Sequence, residues 1–408
     1  MKKTPIYAPN ILLPNVLDMQ SWATIACDQF TSEIDYWKEL EKQVGDNPST
    51  LNLVLPEIYL DGTEDGKIEK INANMKNYLK NGVFKALEKG FILTVRKTAF
   101  VERRIGLVCA IDLEEYEYNP KIKSLIRATE GTIEERIPPR LKIRKDADLE
   151  FPHVMVLFDD EKREITEELF ARKDEFEKVY DFTLNMNGGK LEGYFIKDYQ
   201  PIIDKFLGLL DEQRLVEKYG KADKFLFAVG DGNHSLATAK THWNNLKKTL
   251  SEEEKAVHPA RYALVELNNI YDDGIYFEPI HRYVSGVDRE KFIKGLQKAK
   301  FTAKIWDGKK YSEFNGEESL PSSILAVDAF IKEYIKENGG TVDYVHGEEN
   351  IQQLVCKDER SVAVLFDKLD KKDLFKYVSN VGPFPRKTFS MGEAIEKRYY
   401  LEGRKITL

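Results

Sequence analysis

Apolar and polar positions change rhythm most sharply between Lys224 and Lys240. Phe225, Leu226, Phe227, Ala228 and Val229 form an unbroken apolar run that stops at Gly230-Asp231-Gly232. A short apolar run closed by a turn signal reads as a buried strand. After Asn233 and His234, the stretch from Ser235 to Leu246 consists of good helix formers and sets Leu236, Ala239, Trp243 and Leu246 on one face. The pattern therefore predicts a strand, a tight polar loop and a helix.

The rest of the chain can be organised around that unit. Pro5, Pro9 and Pro14 predict an extended start over 6–17, followed by a helix over 18–26. Ser32 and Asp35 stand at capping-box spacing before a helix that ends near Gly45, which leaves Asp28 in the loop between two helices. A strand is expected over 51–55 and an amphipathic helix through Ile68, Ile71, Met75, Tyr78 and Leu79. The runs 91–100 and 105–113 predict a β-hairpin, and 154–158 a further strand. Helices are expected over 165–179 and 199–219, and strands over 262–267 and 275–280, the latter ending in His281-Arg282. From Arg289 onward helices and strands alternate, clearest at 343–345 and 361–366. The expected class is α/β (mixed α+β): a mixed-sheet core over 1–285 carrying the glycine-rich loop, and a C-terminal α/β unit over 286–408.

Composition narrows the partners. The chain has 408 residues and a formal net charge of −7, with Lys and Arg scattered among Asp and Glu. A small molecule is therefore the expected partner, and nucleic acid is not. Three dispersed cysteines with no metal-ligand spacing fit a reduced, cytoplasmic protein. No apolar segment follows Met1-Lys2-Lys3, and no run approaches the roughly 18 apolar residues of a membrane span. Oligomeric state has no local signature.

Chemistry concentrates at the loop. A helix start presents unpaired N–H groups and the positive end of a dipole, and glycines admit a ligand to the main chain, an arrangement suited to phosphate. Asp231 is placed to hold a divalent cation or act as a base, and His234 to touch a phosphate oxygen; alternatively the first is a turn or capping residue and the second a surface histidine. The loop matches neither GxxxxGK[ST] nor GxGxxG. Upstream, Arg127, Arg136, Arg140, Lys142 and Arg144 interleave with Glu130, Glu134 and Glu135, either as a clamp for an anionic ligand or as a solvated segment with internal ion pairs. His281-Arg282 either aims two cations at the same cleft or is a surface pair. A proline-stiffened loop near the end carries Arg386 and Lys387.

Together these residues resemble a bacterial and archaeal family, domain of unknown function 1015. The resemblance rests on Phe227 to Ala239, Pro279-Ile280-His281-Arg282, Arg127 to Thr132, Asn47-Pro48-Ser49, Pro56-Glu57 and Gly382 to Phe389, and so spans nearly the whole chain. The family's central motif is usually Asp-Gly-His-His-Arg, where this chain has Asp231-Gly232-Asn233-His234-Ser235, without the arginine. The motif is similar in turn to that of the ParB and sulfiredoxin superfamily, whose members bind nucleotides and include free-serine kinases.

The resemblance implies a Mg-dependent phosphotransferase using ATP or ADP on a small, serine-like metabolite. Asp231 would hold magnesium or orient the acceptor. Gly230, Gly232, Asn233, His234 and Ser235 would meet the phosphates, and Glu130 would serve as base. Arg127, Arg136, His281, Arg282 and Arg386 would supply the missing positive charge. The competing expectation is a non-catalytic regulator that binds a nucleotide or metabolite; DNA binding is disfavoured by the acidic balance and the lack of a clear helix-turn-helix.

Overall fold

The computed structural model describes residues 4–16, 18–60, 62 and 64–408, so Met1-Lys2-Lys3 and Leu17, parts of two of the stretches above, lie outside the described residues. The fold is mixed α/β, as the alternating periods predicted. It divides into two compact units, Met1–Ile275 with Glu393–Leu408, and Tyr276–Gly392.

The first unit is built on a large mixed sheet. Its strands run in the order Glu177–Leu184, Gly189–Ile196, Phe91–Lys97, Arg104–Asp112, Tyr262–Asn269, Met155–Phe158, Phe227–Asp231, Ile126–Ala128 and Tyr116–Glu117, with Ile6–Tyr7 beside Arg104–Asp112. The predicted hairpin is present as Phe91–Lys97 against Arg104–Asp112, in antiparallel register from Ile92↔Val108 to Arg96↔Arg104. All of Arg104–Asp112 is buried because both faces of the sheet are covered. Leu107, Cys109 and Ile111 pack on one side with Trp243 and Phe206, while Val108 and Ile92 pack on the other with Trp22 and Trp37. Cys109 is thus a small apolar core residue.

Four expected elements form differently. Residues 51–55 make no strand; a 3-10 turn, Thr50–Asn52, forms instead, because Ser49 Oγ accepts from Leu51 N at 3.1 Å and donates to Trp22 O at 3.1 Å. The helix expected over 18–26 is only Met19–Trp22, capped by Asp18, and the chain then extends so that Thr24–Ile25 can pair with Tyr399–Tyr400. The helix expected over 165–179 stops at Ala171, and Glu177–Leu184 becomes an edge strand hairpinned onto Gly189–Ile196. The long helix over 199–219 is two, Gln200–Gly208 and Glu212–Tyr219, because Asp211 caps the second through Arg214 N. In each case a local side-chain cap or a distant strand partner overrides helical or strand propensity.

In the second unit Tyr311–Asn315, Thr302–Trp306, Ser361–Leu365, Phe277–Ser285 and Thr341–His346 form an antiparallel sheet, packed through Val284, Ile305, Val362 and Val364 on the helices Arg289–Leu296 and Leu320–Asn338. No helix among the described residues is long and apolar enough to cross a membrane.

Candidate functional site

The predicted strand, loop and helix are Phe227–Asp231, Gly232 and Asn233–Leu246. The strand runs antiparallel to Met155–Phe158, and the register slips between Met155↔Asp231 and Val156↔Val229, so Gly230 is bulged out of the ladder. A bulge bends its strand and re-aims the next side chain, here Asp231. Gly232 has φ +80°, and a Cβ placed on it would lie 3.0 to 3.1 Å from Val154. Only glycine fits that backbone and that approach.

Asp231 does not cap the helix; the cap residue is Gly232, without a side-chain bond. The carboxylate faces Lys397, whose Nζ is 3.4 Å from Asp231 Oδ2, with the side chains 6% and 19% exposed for lysine and aspartate respectively. Asp231 Oδ2 and Asn233 Oδ1 are buried yet accept no hydrogen bond. His234 Nε2 accepts from Ile133 N at 3.2 Å, which puts its proton on Nδ1. That contact brings the arginine-rich segment onto the loop: Thr129 Oγ1 donates to Val229 O, Glu130 follows, and the helix Ile137–Lys145 lies against Asn233–Leu246. Arg136 is exposed at the start of that helix.

Ser235 turns away from the loop. Its hydroxyl lies 3.3 Å from His153 Nε2, His153 Nδ1 lies 2.7 Å from Tyr400 Oη, and Tyr400 Oη donates to Cys27 Sγ at 2.9 Å. Asp28 Oδ2 stands 3.7 Å from His153 Nε2. Burial works to raise the Asp28 carboxyl, but His153, a hydrogen bond from Gln29 and the charge of Lys397 outweigh it and hold it below the usual range. Burial pushes the Cys27 thiol up to about 12, so it remains a thiol. Cys27, His153, Ser235 and Tyr400 border a cavity of about 170 Å³ walled by Leu53, Leu55, Met75, Phe151 and Leu264. Arg140 and Arg144 also line it, but each is paired, with Glu57 and with Glu150.

Other candidates sit elsewhere. Arg127 forks onto Asp223 at 2.7 and 2.8 Å and stacks on Phe225, at the start of the motif strand rather than its Asp231 end. His281, Arg282 and Arg386 belong to the second unit. There Arg282 forks onto Asp328 at 2.8 and 2.9 Å and donates to Arg386 O, while His281 Nδ1 accepts from Phe366 N. The Arg386 side chain is exposed.

Sequence reasoning missed Lys397, Tyr400 and His153. Arg96 places the first, by donating to the carbonyls of Ile395, Glu396 and Lys397 at 2.8, 3.0 and 2.6 Å. Tyr400 arrives through the pairing of Tyr399–Tyr400 with Thr24–Ile25. Only His153 had a legible signal: it lies just before an apolar strand that could pair with the motif strand.

Several solved structures are similar in shape at 9% sequence identity. A free serine kinase in complex with AMP has a TM-score of 0.40, over 74% of this chain and 92% of that one. A conserved hypothetical protein from Pyrococcus furiosus has a TM-score of 0.37, over 74% and 95%. SbnI with C-terminal truncation, from Staphylococcus aureus, has 0.37 over 70% and 82%. No protein with a curated description matches the sequence. The family model for proteins of unknown function DUF1015 matches residues 13–372, and the chain therefore belongs to that family.

Proposed function

We propose that this protein binds the phosphates of ATP or ADP at the start of the Asn233–Leu246 helix and transfers a phosphoryl group to a small, serine-like metabolite. The observation that carries the reading is the buried Lys397 ammonium, 3.4 Å from Asp231 Oδ2 beside a glycine-opened helix start. A lysine, oriented backbone N–H groups and an adjacent carboxylate are the parts by which a protein holds a nucleotide's phosphates, and positioning is most of what phosphoryl transfer requires.

In this reading the N–H groups at Asn233 and His234 and the Nδ1–H of His234 orient the phosphate oxygens, and Lys397 offsets their charge. Glu130, on the segment tied to the loop through Ile133, takes the acceptor's proton. Asp231 Oδ2, which accepts no hydrogen bond, fits a magnesium ion that arrives on the phosphates; among the described residues no group of three or more His, Cys, Asp or Glu would hold one unaided. Magnesium would supply charge neutralisation between the phosphates. Three free thiols, at Cys27, Cys109 and Cys356, suit a reducing cytoplasmic setting.

Isothermal titration with ATP and ADP, with and without magnesium, tests binding, and phosphate release with serine-like acceptors tests turnover. Asp231→Asn should keep the fold, lose mainly the Mg-dependent part of binding and slow turnover by roughly a hundredfold or more. Binding without turnover would make the protein a nucleotide-responsive regulator, and an Asp231→Asn variant indistinguishable from the parent would remove Asp231 from the site.

A further inference from the structure

We propose that Ser235 is a nucleophile activated by His153, and that the apolar cavity beside it takes the acyl part of a short, uncharged carboxylic ester or thioester. Tyr400 Oη gives its one proton to Cys27 Sγ at 2.9 Å and accepts from Cys27 N at 3.3 Å. With that proton on the sulfur, the imidazole nitrogen 2.7 Å away is the donor, and His153 carries its proton on Nδ1. That leaves the lone pair on Nε2, the nitrogen 3.3 Å from the Ser235 hydroxyl. His153 is 4% exposed, so this geometry is held by packing rather than by solvent. Serine, a base with its lone pair toward it and a group fixing the base's tautomer are the parts of an activated nucleophile.

Asp28 completes the set. Its Oδ2 lies 3.7 Å from Nε2, placed to stabilise the imidazolium formed when Nε2 takes the serine proton. In acylation Ser235 Oγ bonds to the carbonyl carbon, its proton passes to His153 Nε2, the bond to the leaving alcohol or thiol breaks, and that group departs with the proton. Water repeats the sequence in reverse and releases the acid.

The cavity sets the substrate class. Ser235 sits on its wall among Leu55, Met75, Phe151 and Leu264, and both arginines there are neutralised by glutamates. A phosphate would find no net positive charge, whereas an apolar chain finds its match. A dry cavity of about 150 Å³ takes benzene, so about 170 Å³ suits an acyl group of about six carbons.

The test uses the full chain with p-nitrophenyl esters of butyric and hexanoic acid and with a fluorophosphonate probe. The parent should hydrolyse the esters and gain one probe adduct on the peptide containing Ser235. Ser235→Ala, which removes one oxygen from a half-buried position, should lose the adduct and at least a hundredfold of kcat/KM. Tyr400→Phe should lower kcat about tenfold with KM unchanged, because the ring still packs while the tautomer is released. Ester hydrolysis that survives Ser235→Ala, a probe adduct elsewhere, or a parent that reacts with neither reagent would each overturn the proposal.

Discussion

Lys397 Nζ and Asp231 Oδ2 meet at 3.4 Å, with the lysine side chain 6% exposed. The pair joins the motif strand to the segment Glu393–Leu408, so the charge balance of the loop depends on residues far along the chain.

Lys397→Met should leave Asp231 as a largely buried carboxylate without its cation, destabilising the fold by roughly 2–3 kcal/mol in urea unfolding. Adding Asp231→Asn to that variant should restore most of the loss, since the amide needs no counter-charge. A double variant no more stable than Lys397→Met alone would show that the two side chains are energetically independent.

Gly232→Ala should cost about 2 kcal/mol or more, because it forces a side chain into the left-handed region and within 3.0 to 3.1 Å of Val154. Gly131→Ala, where an added Cβ meets nothing within 4 Å, serves as the control and should change stability little. Equal losses at the two glycines in thermal unfolding would contradict the strain argument.

Glu150 gives the first unit an acid limit. Burial would raise its carboxyl, but Arg404 and then Arg144 hold it down to about 2. Its folded value lies below its unfolded value, so its contribution is complete above pH about 4.5 and drains away as pH falls toward 2. The shift corresponds to about 3 kcal/mol. Glu150→Gln should flatten the decline in stability over that window; an unchanged pH profile would count against the ion-pair account.

Arg96 is the tether of the segment that carries Lys397. Its guanidinium donates to the carbonyls of Gly188, Ile395, Glu396 and Lys397. Burial, with Arg104 close by, pulls its pKa down to about 9, still above neutrality. Arg96→Met should leave those carbonyls without donors, and hydrogen exchange should speed up at Tyr399 and Tyr400 while the central strand Arg104–Asp112 keeps its protection. Uniform exchange across both would show instead a global loss of stability.

The sequence made legible what periodicity records. The motif strand, its loop and its helix, the hairpin at 91–112 and the mixed α/β class follow from the spacing of apolar residues around glycine. What stayed hidden depends on contacts between distant positions. Nothing local to Glu177–Leu184 distinguishes the tail of a helix from an edge strand until Gly189–Ile196 pairs with it. Arg127 looked like a phosphate ligand because an arginine's partner cannot be read from its neighbours, and Asp223 takes it. Ser235 looked like part of the phosphate loop, yet one helical turn places its hydroxyl against His153. Lys397 and Tyr400 lie beyond the residues matched by the family model, and their place in the site is set by Arg96 and by Thr24–Ile25.

The segment Glu393–Leu408 belongs to the first unit although Tyr276–Gly392 intervenes in the chain. On a translating ribosome, the large sheet and the Gly230 loop emerge well before Lys397 and Tyr400 have been made. Domains otherwise close in the order of synthesis. Here the loop's cation and the histidine's tautomer lock come only after the intervening unit has been translated, so the nascent protein carries a framework with its chemistry still missing.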